Sequence, residues 1–99
     1  MALEIVWTYS ALRGFEKIVK YLETNWTERE LRNFLQETNN FVNLIRKNPE
    51  ILQKTTQRKN VFRGPLNRYS IITYRVNIQH NKLEILNIRG VRQKPLKRS

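Results

Sequence analysis

Positive charge is the chemistry this sequence carries in quantity, and it gathers at one end. The formal net charge is +11 over 99 residues. Through Ile51 seven basic residues face seven glutamates, whereas from Leu52 onward twelve lysines and arginines meet a single acid, Glu84. A field this one-sided favours a polyanion or an acidic protein partner. The residues placed to bind a nucleic acid or another anionic target are Lys59, Arg63, Arg68, Tyr69, Arg75, Arg89, Arg92 and Lys94. Arginine suits the task because its planar guanidinium gives two parallel hydrogen bonds to phosphate or carboxylate. Tyr69 adds a surface on which an unpaired base can stack.

Groups for catalysis are scarce. The sequence has no aspartate and no cysteine, one histidine and no glycine-rich phosphate loop. A thiolate site is excluded and a zinc site would be mostly carboxylate, so neither metal nor other cofactor is expected. His80 sits between Gln79 and Asn81 in an expected turn, away from the final arginines, where a general base has no proton within reach. Any chemistry would lean on Lys59, Arg63, Arg75 or Arg92, which can balance phosphate charge. The plainer alternative for each arginine is a solvated strand face, with Arg75 or Arg63 pairing across strands with Glu84.

The elements that must position these residues follow from periodicity. The length suits one domain over 1–99. Leu3, Ile5, Trp7 and Tyr9 alternate with polar neighbours as a strand does. Ser10 offers an N-cap to a helix near 11 to 24, with Leu12, Phe15, Ile18, Val19 and Leu22 at helical spacing and Asn25 at its end. Thr27 and Glu30 have the spacing of a capping box. They open a helix near 28 to 47 carrying Leu31, Phe34, Leu35, Phe41, Val42 and Ile45, which Pro49 stops. The short link predicts an antiparallel helical hairpin.

Beyond Pro49 the period becomes two. "KNVFR" is a short strand, Gly64-Pro65 a turn and "RYSIITYRVNI" a longer strand, and "QHNK" turns the chain into a last strand from Leu83 to Ile88. The expected fold is α+β in the order β-α-α-β-β-β, an antiparallel three-stranded meander with the first strand added and the helices on one face. Alternation places Tyr69, Ile71, Thr73 and Arg75 opposite Ile72, Tyr74 and Val76, and Asn87 and Arg89 opposite Leu86 and Ile88. Lys59 and Arg63 fall with Val61. Residues from about 91 to 99 form an extended basic arm. No membrane span or leader is evident, which places the expected site of action in the cytoplasm.

With these elements in place, the sequence resembles the RelE/ParE superfamily of bacterial toxins. The likeness lies in the opening "IVWTYSALRGFEKIVKYLETNW", the proline-terminated second helix, the strand "YSIITYRV" and the terminal "RGVRQKP". It extends over nearly the whole chain and is nearest the ParE-like branch. The resemblance implies a growth-inhibiting toxin of a type II toxin-antitoxin pair, held by an acidic or amphipathic antitoxin. ParE-like members poison DNA gyrase, whereas RelE-like members are metal-independent nucleases that cleave mRNA on the ribosome. By the same likeness Arg92 matches the arginine after the last strand, and Lys59 and Arg63 lie where RelE-like toxins carry basic residues. Ser70 stands where those nucleases have a catalytic arginine, and no tyrosine or histidine follows Arg92. Arg68 or Arg75 could substitute, but a gyrase inhibitor needs no such set. A nucleic-acid-binding module without toxic action is a third class that suits the charge.

Overall fold

The computed structural model describes residues 2–91. Strand β1 (Glu4–Trp7) leads into helix α1 (Tyr9–Asn25), and Trp26 and Thr27 link it to helix α2 (Glu28–Lys47). Four strands follow: β2 (Gln53–Lys54), β3 (Val61–Asn67), β4 (Ser70–Asn77) and β5 (Lys82–Gly90). The strand order is β1-β5-β4-β3-β2. Strands β2 to β5 pair antiparallel, while β1 runs parallel to β5, so the sheet is mixed. The helices explain the parallel pair, because the chain leaves β1 through the hairpin and returns after a long crossover.

Each helix has its cause in local chemistry. At α2 the Thr27 hydroxyl accepts from the Glu30 amide while the Glu30 carboxylate accepts from the Thr27 amide, which completes the expected capping box. Glu28 and Glu30 lie in its first turn and Arg46 and Lys47 in its last, both favourable to the helix dipole. Helix α1 starts two residues earlier than expected. Its N-cap is Thr8 rather than Ser10, because the Thr8 hydroxyl accepts from the Ala11 amide and also donates to the Ile85 carbonyl at 2.7 Å. That second bond fastens the start of α1 to β5. Tyr9, expected on β1, therefore belongs to the helix and is exposed.

The core lies between the helices and one face of the sheet. Ile18 and Leu22 of α1 and Phe34, Val42 and Ile45 of α2 meet Phe62, Ile72, Tyr74, Leu83, Ile85 and Ile88. Phe15 bridges the layers, edge-on to Trp7 and stacked on Phe34 with ring centres 5.8 Å apart. The buried alternation Ile72, Tyr74, Val76 leaves Arg75 on the opposite face, as expected.

Two strand expectations need correction. Gly64 and Pro65 do not form a turn; they lie inside β3. Strand β2 pairs only with Phe62 and Arg63, so β3 is an edge from Gly64 onward, where proline forfeits no ladder bond to that side. Gly64 leaves room for Leu52, whose methyl would lie 2.9 Å from any Cβ placed there. The turn falls instead at Arg68 and Tyr69, where the Asn67 carboxamide oxygen accepts from the Tyr69 amide and the Ser70 hydroxyl. The second correction is in β5. Its register against β4 passes from Tyr74 opposite Ile85 to Thr73 opposite Asn87, leaving Leu86 as a bulge. The buried set is therefore Leu83, Ile85 and Ile88, and the bulge alone keeps Ile88 inward while Asn87 and Arg89 face outward.

Tyr74 supplies a pH test of this packing. Its hydroxyl donates to the Pro49 carbonyl at 2.6 Å, and burial pushes its pKa from 10.0 up to about 12. Below pH 10 the phenol is neutral in both folded and unfolded chains and contributes no pH dependence. Above it the unfolded chain loses the proton first, so stability falls as pH rises, by roughly 3 kcal/mol once pH passes the folded value. Tyr74→Phe should lose about 1 kcal/mol at neutral pH with the hydrogen bond. The gap between variant and wild type should then close and reverse between pH 10 and 12. Urea melts at pH 8 and pH 11 measure this, and a gap that stays constant would place the phenol in water.

Candidate anion-binding face

On the sheet face away from the helices, the end of the β3-β4 hairpin borders a groove of about 680 Å³. Its cations are Lys54, Arg63 and Arg68, its floor includes Pro65, Ile71 and Val91, and no carboxylate or imidazole lines it. Arg63 is placed by β3, which pairs it with Gln53 on one side and Thr73 on the other. Arg68 is placed by the Asn67 turn and lies over the Tyr69 ring, 5.6 Å from its centre. The Asn67 amide nitrogen is buried beside this groove with no acceptor among the described residues. With two guanidiniums, an ammonium and no competing carboxylate, the groove can hold a phosphate or carboxylate group.

The expected site residues separate into distinct surroundings. Arg63 and Arg68 share the groove. Lys59 does not share the strand face with Arg63; it sits in an exposed turn before β3, because Asn60 has φ 59° and breaks the alternation. Val61 is itself buried, directly across from Arg75. Arg75 is held by Glu84, with Nε 2.8 Å and a terminal nitrogen 2.7 Å from the same carboxylate oxygen. That is the cross-strand pair anticipated as the alternative to an anion site. Tyr69 is half-buried, edge-on to Trp26 at 4.5 Å between ring centres, so part of its ring is already engaged. Arg89 is exposed at the end of β5, across from Ile71, and borders a second depression with α1. Arg92 and Lys94 lie outside the described residues.

His80 is exposed in the turn between β4 and β5, where the Asn77 side chain accepts from its amide. Among the described residues no three acidic or histidine side chains converge to hold a metal ion, and no helix is long and apolar enough to cross a membrane. Lys54 and Asn67 lie outside the residues to which the sequence pattern points. Lys54 sits in a strand of two residues, too short for any period, but Asn67 two residues before Tyr69 is a recognisable turn signal.

Similar folds occur among toxins of known structure. The chain matches a ParDE toxin-antitoxin system from P. aeruginosa at 16% identity and TM-score 0.72, covering 91% of this chain and 97% of that one. It matches the RelBE2 complex of Mycobacterium tuberculosis at 16% identity and TM-score 0.62, over 92% and 100% of the two chains. A free double arginine-to-alanine variant of E. coli RelE matches at 13% identity and TM-score 0.62, over 94% and 86%. No curated protein matches by sequence. The family model described as "ParE toxin of type II toxin-antitoxin system, parDE" matches residues 5–95. That span runs from Ile5 within β1 through the whole of β5, and the chain belongs to the ParE toxin family within the RelE/ParE superfamily.

Proposed function

We propose that this toxin inhibits growth by acting on DNA gyrase in the cytoplasm, and that a cognate antitoxin silences it. The observation that carries the choice of target is the groove at the β3-β4 turn, which offers Lys54, Arg63 and Arg68 but neither carboxylate nor imidazole. Cleaving RNA requires activation of the 2′-hydroxyl, neutralisation of the phosphate and protonation of the leaving oxygen. The described face supplies the middle requirement. Inhibition by binding needs only that one, and the match to the ParE model supports the same side of the superfamily. Charge and exposed apolar side chains on the hairpin, Leu12, Leu35 and Leu44, suit an antitoxin that brings both carboxylates and an apolar face.

Two assays on purified toxin decide the target. Supercoiling by gyrase should fall with added toxin, and ribosome-bound mRNA should remain uncut. Cleaved mRNA with unimpaired supercoiling would transfer the protein to the nuclease reading. Inactivity in both would support the binding module.

A further inference from the structure

A second basic depression lies on the other flank of the sheet. Strand β1 pairs with β5 only from Lys82 to Ile85, so beyond the bulge β5 keeps β4 on one side and has no strand on the other. Helix α1 takes that place. Thr8 bonds to the Ile85 and Leu86 carbonyls, and Gly14, lacking a Cβ, lets the helix lie directly on the Ile88 carbonyl. This close approach brings Arg13 and Lys17, one helical turn apart, to Arg89 on the strand. The three border a depression of about 480 Å³ together with Ser10, Asn87 and Gly90.

None of the three cations pairs with a carboxylate among the described residues, where the ion pairs are Arg32 with Glu28 and Arg75 with Glu84. Stability does not account for their grouping. Arg13 and Lys17 lie in the second and third turns of α1, too far from its C-terminus for the dipole to favour a cation there. Arg13 is also shaped for a ligand. Its guanidinium donates to the Tyr9 hydroxyl at 2.8 Å and lies 5.6 Å from the centre of that ring, which is 72% exposed. A planar cation fixed beside an open aromatic face suits a phosphate next to a stacked base.

We infer that the α1-β5 depression is a subsite for the phosphodiester backbone of a nucleic-acid strand. A polymer rather than a small anion is indicated by continuity. Arg89, on this rim, stands across from Ile71, which floors the Lys54-Arg63-Arg68 groove. Two basic sites thus lie about 10 Å apart, two strand spacings, a span that one flexible polyanion covers and a single phosphate does not. The subsite does not depend on gyrase being the target, since it concerns nucleic-acid binding by the toxin alone.

The probe is a fluorescein-labelled oligothymidylate of about 12 nucleotides, followed by anisotropy over a series of salt concentrations. Arg13→Ala/Lys17→Ala should weaken binding at least about tenfold. It should also lower the slope of log affinity against log salt by roughly 1.4, two single-strand phosphate contacts. Arg29→Ala/Arg32→Ala removes the same charge from residues that border neither depression, and should change the slope little. In wild type, oligonucleotide should shift the amide resonances of Gly14, Asn87 and Gly90, which needs no variant. The subsite is overturned if both double variants weaken binding equally, if the Arg13/Lys17 variant binds as wild type, or if those amides do not move. Competition by polyglutamate as strong as by unlabelled oligonucleotide would overturn it too, because carboxylates would then serve as well as phosphates. Gyrase supercoiling is not read, so failure here leaves the proposed target standing.

Discussion

Gly14→Ala is expected to destabilise the fold by about 3 kcal/mol, at the top of the range for overpacking. The sign opposes helix propensity, since alanine in a helix interior ordinarily gains about 1 kcal/mol over glycine. Here the added methyl would lie far inside van der Waals contact with the Ile88 carbonyl oxygen and 3.2 Å from its carbon. Strand β5 cannot retreat, because Ile88 is paired to Ile72 of β4, which holds the strand from its other side. Helix α1 must lift instead, which loosens Ala11 and Ile18, both buried against that strand layer. In a chain of 99 residues the loss corresponds to a fall in Tm of roughly 12–24 °C. Asn39→Ala, at an exposed site on α2, provides the propensity control and should raise Tm slightly. A Gly14→Ala variant that melts at or above wild type would mean that α1 does not sit on β5 as described.

This contact also marks what periodicity could and could not convey. The capping box at Thr27, the Pro49 stop and the alternation through β4 are local patterns found where residue spacing placed them, and the helical stripes hold at Ile18, Leu22, Phe34, Val42 and Ile45 but leave Leu12 and Leu35 exposed. The corrections share a different origin. Thr8 prevails over Ser10 as the N-cap because its hydroxyl also reaches Ile85, 77 residues away. Gly64 and Pro65 resemble a turn in isolation, but β3 is an edge there and Leu52 fills the space above the glycine. The Leu86 bulge has no composition signal, and it is the partner register that makes Leu86 the surplus residue. Local chemistry reads from the chain directly, whereas contacts distant in sequence override it.

The basic face follows the same division. Charge asymmetry and strand alternation indicated that Arg63, Arg75 and Arg89 would leave the core, and all three are exposed. Their grouping depends on neighbours that alternation cannot supply. Glu84 is directly across from Arg75 and takes it out of the free set, while α1, remote in sequence, brings Arg13 and Lys17 to Arg89. The short strand β2 adds Lys54 to Arg63 through the Gln53 pairing.

The proposed activity is expected to depend most on the groove pair. Arg63→Ala/Arg68→Ala removes two guanidiniums from one cavity, and each charged hydrogen bond to a bound anion is worth about 1.5–3 kcal/mol. If both engage the target, the toxin concentration needed for half-inhibition should rise at least about 100-fold, since 1.4 kcal/mol is tenfold. Folding should be preserved within about 1 kcal/mol, because both side chains are exposed and the stack of Arg68 on Tyr69 is a surface interaction. Arg75→Ala is the discriminating control. It breaks an exposed ion pair worth about 0.2–1 kcal/mol and should leave inhibition unchanged, because Glu84 already occupies the guanidinium. Dose-response curves for gyrase supercoiling with the three proteins, each checked by thermal melting, make the comparison. Retained potency in the folded double variant would remove the groove from the site. Equal loss in Arg75→Ala would instead indicate that the target engages the outer face as a whole and displaces Glu84 from its arginine.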